Sequence, residues 1–493
     1  MTDVARLVVP ALRWDQAHGF GYLEGLIDDG LELGVGGFLV EGGPRDAVAA
    51  LIGRLHAESR APILVAARVE RGAGDTIEGL TQLPPLGALA SVAVIDGEPG
   101  SIPSLDVDAV RRAARLTARE CKNLGVNWAL APVCDLDIAR GSRQVGLRAA
   151  GSDPAIVAAI VSEWVDACQA EAVVACAMHF PGLARALEQQ AGGPPLLKDQ
   201  LATLRSSDLV PFTAAIDAGA ASVMVAHLLA PGLGAPEGAL RSASLIENLL
   251  RTEMHFDGIV TTIAFDREVA IDAARESDLA VHAIAAGCDI VLAPADLSGV
   301  VDALSRAEQS GALAGNRVRD AVGRVDRWAG WGRPSQAREP SLDDIMWSRQ
   351  LADRCVRFVS GARPRVGATI EVVQILGGAQ RVPLVDVTAT LRALHIDVTE
   401  SAAPTPRDRS PLAILFVPGA GPADDVSRAD LDRARAAAKA GIDAGRDTVI
   451  VAFCHPRAAA ALGTDLSVVC AWEPSRAMQQ ASARAVCTSV TAR

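Results

Sequence analysis

Four short stretches put chemistry-bearing side chains where an apolar run gives way to a loop. They are "AARVERG" (66–72), "CAMHFPG" (176–182), "SVMVAH" (222–227) and "GIVTTIAFD" (258–266). The imidazoles of His179 and His227 suit ligand contact or proton transfer, and each also suits a buried structural role. Arg68 and Glu70 lie two apart, so on a strand they share a face and can pair, and Arg68 can alternatively hold an anion. In α/β enzymes the position just after a strand is where an acid or nucleophile is placed. In "GIVTTIAFD" that position is Ile263, which has no lone pair, and Asp266 follows three residues later.

These stretches need a scaffold that brings strand ends together. Short apolar runs recur at Leu7–Val9, Gly37–Val40, Ile63–Ala66, Val126–Leu130, Val173–Ala177, Ser222–Ala226, Gly258–Thr262 and Asp289–Leu292. Amphipathic helical segments such as "DVDAVRRAARLTARECKNLG" separate them. Near-continuous apolar strands alternating with helices predict a parallel sheet covered on both faces. Eight such units over residues 1–330 predict a (β/α)8-type TIM barrel. The Pro- and charge-rich residues 331–345 read as a linker. Residues 346–493 carry a second βα series and predict a smaller α/β sandwich domain. In that half "VPGAGPADD" lacks dinucleotide or Walker spacing and reads as a turn, so no cofactor is expected.

Composition bounds the function. The chain has 493 residues and a formal net charge of -12, with no offsetting basic stripe, which argues against nucleic acid as a partner. No run of about 18 apolar residues suggests a membrane span. The nine cysteines are scattered, with no CxxC pair. They fit free thiols in a reducing cytoplasm better than a disulfide framework or a metal site. The amino terminus lacks the pattern of a secretory leader, so the expected location is cytoplasmic. Aromatic residues make up 3%, which lowers the expectation of a long oligosaccharide groove.

A set of ordered landmarks resembles family 3 glycoside hydrolases, in their β-N-acetylhexosaminidase-like branch. The landmarks are "ERGAG" (70–74), "GLTQLPP" (79–85), "GVNWALAPVCDLD" (125–137), "GLRAAGSDP" (146–154), "HFPG" (179–182), "SVMVAH" (222–227) and "FDGIV" (256–260). The resemblance covers the first 330 residues closely and the rest loosely. It implies a barrel, an α/β sandwich, and hydrolysis of β-linked N-acetylglucosamine with retention. In such chemistry a strand-end aspartate attacks the anomeric carbon, and a loop histidine paired with an aspartate acts as acid and base.

Carried over position by position, the resemblance also implies losses. Ile263 stands at the nucleophile and Thr262 at the preceding threonine, while Asp266 matches a second, non-nucleophilic acid. Leu183 follows "FPG" in place of histidine. Glu188, Gln189 and Gln190 stand at the Asp-Ser-His of the acid/base loop. Met178 replaces a lysine, and Arg68 a sugar-gripping aspartate. Arg148 and His179 remain at sugar-contacting positions. Glu70, Arg71, Asp153, Pro154, Pro181, Gly182 and Asp257 keep the scaffold pattern.

Ile263 cannot form a glycosyl intermediate, and neutral Gln190 cannot shuttle a proton. Replacing Asp, Lys and Asp by Arg68, Met178 and Ile263 moves the local charge from -1 to +1. The expected pocket is therefore cationic and partly apolar, with Arg68, Arg148, Met178, His179, His227 and Asp266 as candidate ligand-binding residues. Met178 and Ile263 equally fit packing that fills a disused pocket. Three functions stay open. One is a pseudoenzyme that binds a small carbohydrate, an anion, an active paralogue or a second copy. Another is an active β-N-acetylglucosaminidase or β-glycosidase hydrolysing O-glycosyl bonds with Glu188 and Asp266, which would have to flank the sugar at a separation of roughly 5 to 9.5 Å. The third is a structural scaffold subunit.

Overall fold

The computed structural model describes residues 4–95, 104–139, 145–189, 193–268, 273–331, 340–362, 366–377, 383–405, 408–419 and 426–487. They form two compact units. One comprises Met1–Thr81, Ile95–Asp137 and Ala149–Ser341; the other comprises Gln82–Val94, Ile138–Arg148 and Leu342–Arg493.

In the first unit each of the eight apolar runs contributes a strand. They are β1 (Val8–Val9 and Ala11–Arg13, interrupted at Pro10), β2 (Gly37–Glu41), β3 (Leu64–Arg68) and β4 (Trp128–Leu130). The ring continues with β5 (Val174–Phe180), β6 (Ser222–Val225), β7 (Ile259–Thr262) and β8 (Val291–Leu292). Every pairing from β1 to β7 is parallel, in chain order. A parallel bridge between Thr261 and Ile290 joins β7 to β8, and Val8 pairs with Val291 to close the ring. The architecture is the expected TIM-type barrel. Its strands are mostly apolar because one face fills the barrel interior and the other meets helices, with charged residues at the ends of β1, β2 and β3. All seven residues of β5 are buried. Gly37 is required where β2 meets β3, since a Cβ there would lie 1.9 Å from the Leu64 carbonyl oxygen.

Local sequence signals set the helices between strands. The Asp-Pro of "GLRAAGSDP" is a helix start: Asp153 accepts from the Ala155 and Ile156 amides, and Pro154 takes the first position of the helix Pro154–Gln169. At the opposite end of the barrel Asp289, fully buried, ties β7 and β8 to the surrounding helices. Its Oδ2 accepts from Arg251 at 2.6 Å and from the Val260 amide at 2.9 Å. Its Oδ1 accepts from Arg317 at 2.8 Å and Arg324 at 3.3 Å.

The second unit is an open, mostly parallel sheet. Its strands are β9 (Arg357–Ser360), β10 (Thr369–Leu376), β11 (Asp397–Ser401), β12 (Leu412–Val417), β13 (Thr448–Ala452) and β14 (Val468–Cys470). The spatial order is β9-β14-β13-β12-β10-β11, with β9 antiparallel to β14 and the remaining pairs parallel. Val372, Leu415, Val451 and Val469 centre one core of this unit. A buried ion pair, Arg446 Nη1 to Glu371 Oε2 at 2.6 Å, sits in the same unit. The helix Leu342–Cys355 begins inside the Pro- and charge-rich stretch 331–345.

Candidate functional site

The C-terminal rim of the barrel gathers the residues that follow each strand. At β5, His179 Nδ1 lies 2.7 Å from Asp135 Oδ2, and both side chains are buried. The carboxylate accepts, so the ring proton sits on Nδ1. Asp135 Oδ1 also accepts from the Leu183 amide at 2.6 Å. One carboxylate from the loop after β4 thus fixes both the histidine and the start of the "FPGLAR" loop. Arg185, further along that loop, donates to the buried Asp208 at 2.6 Å.

A second constellation spans β1, β2 and β3. Parallel register places Arg13 beside Glu41, and Leu39 beside Ala66. Two residues on, the same register sets Glu41 beside Arg68. Neighbouring strands lie about 4.8 Å apart, so opposite charges on one level meet directly. Arg68 Nε donates to Glu41 Oε1 at 2.9 Å, and Arg13 Nε lies 2.6 Å from Glu41 Oε2. Arg13 Nη1 reaches Asp266 Oδ2 beyond β7. Burial lowers the Arg13 pKa, but its contacts with Asp266 and Glu41 outweigh that and hold it raised.

This arrangement corrects the expected cationic pocket. Two guanidinium groups, Arg13 and Arg68, meet two carboxylates, Glu41 and Asp266, and the sum is zero. Glu41 on the adjacent strand also engages Arg68, a partner beyond the Glu70 anticipated along the chain. Arg13, Glu41 and Asp135 were absent from the sequence-derived site. Their signal was present: each is the first charged residue after an apolar run, in "VVPALR", "GFLVE" and "WALAPVCD".

Ile263 is 1% exposed, as are Met178 and Leu183. The Ile263 amide donates to the Val225 carbonyl at 3.1 Å, and its own carbonyl accepts from the Thr262 hydroxyl at 2.9 Å. These bonds hold the isoleucine in the barrel. His227, after β6, is half-buried, and burial followed by the nearby Arg241 charge pulls its pKa down to about 4. Glu188 is exposed on the loop after β5. That loop is held by a bridge between Leu187 and Leu196 and by Leu196 against Leu229. Gln190 lies outside the described residues. Arg148 belongs to the second compact unit, on the short turn Gly146–Arg148. The structure therefore brings Arg68 and Asp266 into one ion-pair network through Glu41 and Arg13, and buries His179, Met178 and Ile263.

Among the described residues no cluster of three or more His, Cys, Asp or Glu could hold a metal ion. All nine cysteines are free and buried. Among the described residues no helix is long and apolar enough to cross a membrane.

Comparison with known proteins locates the barrel among characterised families. Residues 35–328 match the model of the glycosyl hydrolase family 3 N terminal domain. A β-hexosaminidase of Xylella fastidiosa is 35% identical over 314 residues, covering 62% of this chain and 88% of that protein. A β-hexosaminidase of Xanthomonas oryzae pv. oryzae is 34% identical over 294 residues, covering 59% and 83%. Among solved structures, a family 3 β-N-acetylglucosaminidase from Paenibacillus superimposes with a TM-score of 0.80 at 22% identity, covering 98% of this chain and 95% of that one.

Proposed function

The chain belongs to glycosyl hydrolase family 3, and from that premise we propose that its barrel has lost retaining glycosidase activity and acts as a binding module. The observation that carries the reading is Ile263, buried at the end of β7 at the position where the resemblance puts an attacking aspartate. An apolar side chain held there cannot form a glycosyl bond. Met178, Leu183 and the charge-balanced Arg13–Glu41–Arg68–Asp266 network support it, since they fill the rim with packing and internal ion pairs. His179, oriented by Asp135, remains as a polar contact for a small ligand. A pseudo-subunit pairing with an active paralogue or a second copy is a concrete form of the same role. Nine free buried thiols fit a reducing cytoplasm.

A second reading, an active β-hexosaminidase, draws on the names of the relatives at 34% and 35% identity. In that case Glu188 and Asp266 would carry the reaction. Asp266 is engaged by Arg13, which turns its carboxylate to the network. Incubation with aryl β-N-acetylglucosaminide and aryl β-glucoside separates the two readings. We expect turnover at least about 10⁴-fold below that of an active relative, the scale set by losing residues that act as a unit. Turnover within about tenfold of a relative, abolished by Glu188→Ala or Asp266→Ala, would establish the enzyme reading instead.

A further inference from the structure

Two cavities lie at the end of the barrel opposite the rim, where the chain enters the strands, and what they hold is independent of the binding-module reading. Their volumes are about 350 and 180 Å³, and they share Ser59, Arg60, Ala61 and Ile63, the loop that leads into β3. Arg6 fixes this corner. It donates to the Val35 carbonyl at 2.9 Å, to the Pro62 carbonyl at 2.8 Å, and to Asp326 of the helix Gly315–Trp331 at 2.6 Å. The loops before β2 and β3 are thereby tied to one helix, and the Arg6 charge is matched. The other polar side chains of the larger cavity are committed too. His56 Nε2 donates to the Gly125 carbonyl at 3.1 Å, and the Ser59 hydroxyl donates to the Leu55 carbonyl at 2.6 Å. Arg60 differs. It is exposed, and it makes no hydrogen bond or ion pair among the described residues.

The remaining walls are aliphatic. Pro62, Ile63 and Ala329 line the larger cavity, and the smaller one continues past Arg60 to Leu31 and Leu33. Among the described residues no acidic side chain lines either. The larger cavity reaches the roughly 300 Å³ at which small-molecule sites begin, so its ligand is small. Arg60 and Ala61 are both exposed, so solvent reaches its charge and its apolar wall alike. A guanidinium without an internal partner suits an anion, for which its fork can supply two parallel bonds. We propose that this cavity binds a small carboxylate bearing a short alkyl chain. The carboxylate accepts from the Arg60 guanidinium, and the chain lies against Pro62, Ile63 and Ala329. No covalent bond changes.

Isothermal titration at low salt with hexanoate, butanoate and the neutral hexanamide tests this. Hexanoate is expected to bind with a Kd of about 1 mM or tighter. A buried methylene is worth about fourfold in affinity, so butanoate should bind about tenfold more weakly. Hexanamide, which lacks the charge, should also bind about tenfold more weakly or worse. Arg60→Gln removes the charge, and Ala61→Trp fills the cavity from an exposed position. Each variant, confirmed as folded by its melting curve, should weaken hexanoate binding by about tenfold or more, while Arg13→Gln at the opposite rim should leave it unchanged. No hexanoate binding at about 50 mM overturns the proposal. So does hexanamide or inorganic phosphate binding as tightly as hexanoate. Arg60 also follows the last turn of the helix Arg45–Glu58, where a cation is favourable in its own right. A lower melting temperature for Arg60→Gln with hexanoate binding unchanged would assign the residue to that helix end and overturn the proposal.

Discussion

Asp135→Ala offers the sharpest perturbation of the rim. The Asp135 carboxylate makes two short bonds, to His179 Nδ1 at 2.7 Å and to the Leu183 amide at 2.6 Å, with essentially no solvent at any of the three groups. A hydrogen bond to a charged group contributes about 1.5–3 kcal/mol, and a buried donor that loses its acceptor forfeits the full cost of its desolvation. Two such bonds give a destabilisation of about 3–5 kcal/mol. That is a large share of the roughly 5–15 kcal/mol that holds a typical domain together. Asp135→Asn keeps one carbonyl acceptor and presents an NH₂ where the second acceptor stood. One of the two bonds survives, and the cost falls to about 2 kcal/mol. Urea denaturation of both variants should therefore rank Ala well below Asn and Asn below the parent, with the barrel and the second unit fitted as separate transitions. Hydrogen exchange should locate the effect, with protection of the Leu183 amide falling in both variants and most in Ala. A loss under about 1 kcal/mol for Asp135→Ala, with Leu183 protection unchanged, would refute the claim that this carboxylate anchors the loop.

Other perturbations probe separate features. Asp289→Ala removes the buried partner of Arg251, Arg317 and Arg324, and should destabilise the barrel by about 3–5 kcal/mol in chemical denaturation. Arg446→Ala leaves Glu371 buried without its guanidinium, and should cost about 3–5 kcal/mol in the transition of the second unit. His227 has a folded pKa near 4 against about 6.5 unfolded, so the unfolded chain binds the extra proton first. Stability should fall as pH drops from about 6.5 toward 4, and His227→Gln should remove that component of a pH series of melting temperatures. Ile263→Asp should destabilise the barrel by several kcal/mol, because it buries a carboxylate, and should restore no glycoside turnover on its own. Full activity from that single change would contradict the reading of the surrounding substitutions.

The barrel was legible in the sequence because its strands are unbroken apolar runs. Gly37–Val40 and Val173–Ala177 carry no polar residue to blur the pattern, and Asp153–Pro154 announces a helix start. The return of Gln82–Val94 and Ile138–Arg148 to the second unit was not legible, since short excursions carry no periodicity of their own. Nor was the antiparallel edge strand Arg357–Ser360, whose pairing depends on a register set 110 residues later, at Val468–Cys470. The apolar residues at the rim, Ile263, Met178 and Leu183, were legible along the chain. The ion-pair network beside them was not. Arg13, Glu41 and Arg68 are 28 and 27 residues apart in the chain, and only strand register shows that they share one level of the barrel. A reading along the chain offers Arg68 its neighbour Glu70; the sheet adds Glu41 across from it.

The central claim is that no covalent glycosyl–enzyme forms in this barrel. Intact-mass spectrometry after exposure to an activated 2-fluoro aryl β-glycoside, which makes such an intermediate accumulate in a retaining enzyme, tests it most directly. The parent mass should be unchanged, while an active relative run alongside gains the mass of one glycosyl group. A stoichiometric glycosyl adduct on this chain, mapped to any carboxylate of the barrel rim, would contradict the account.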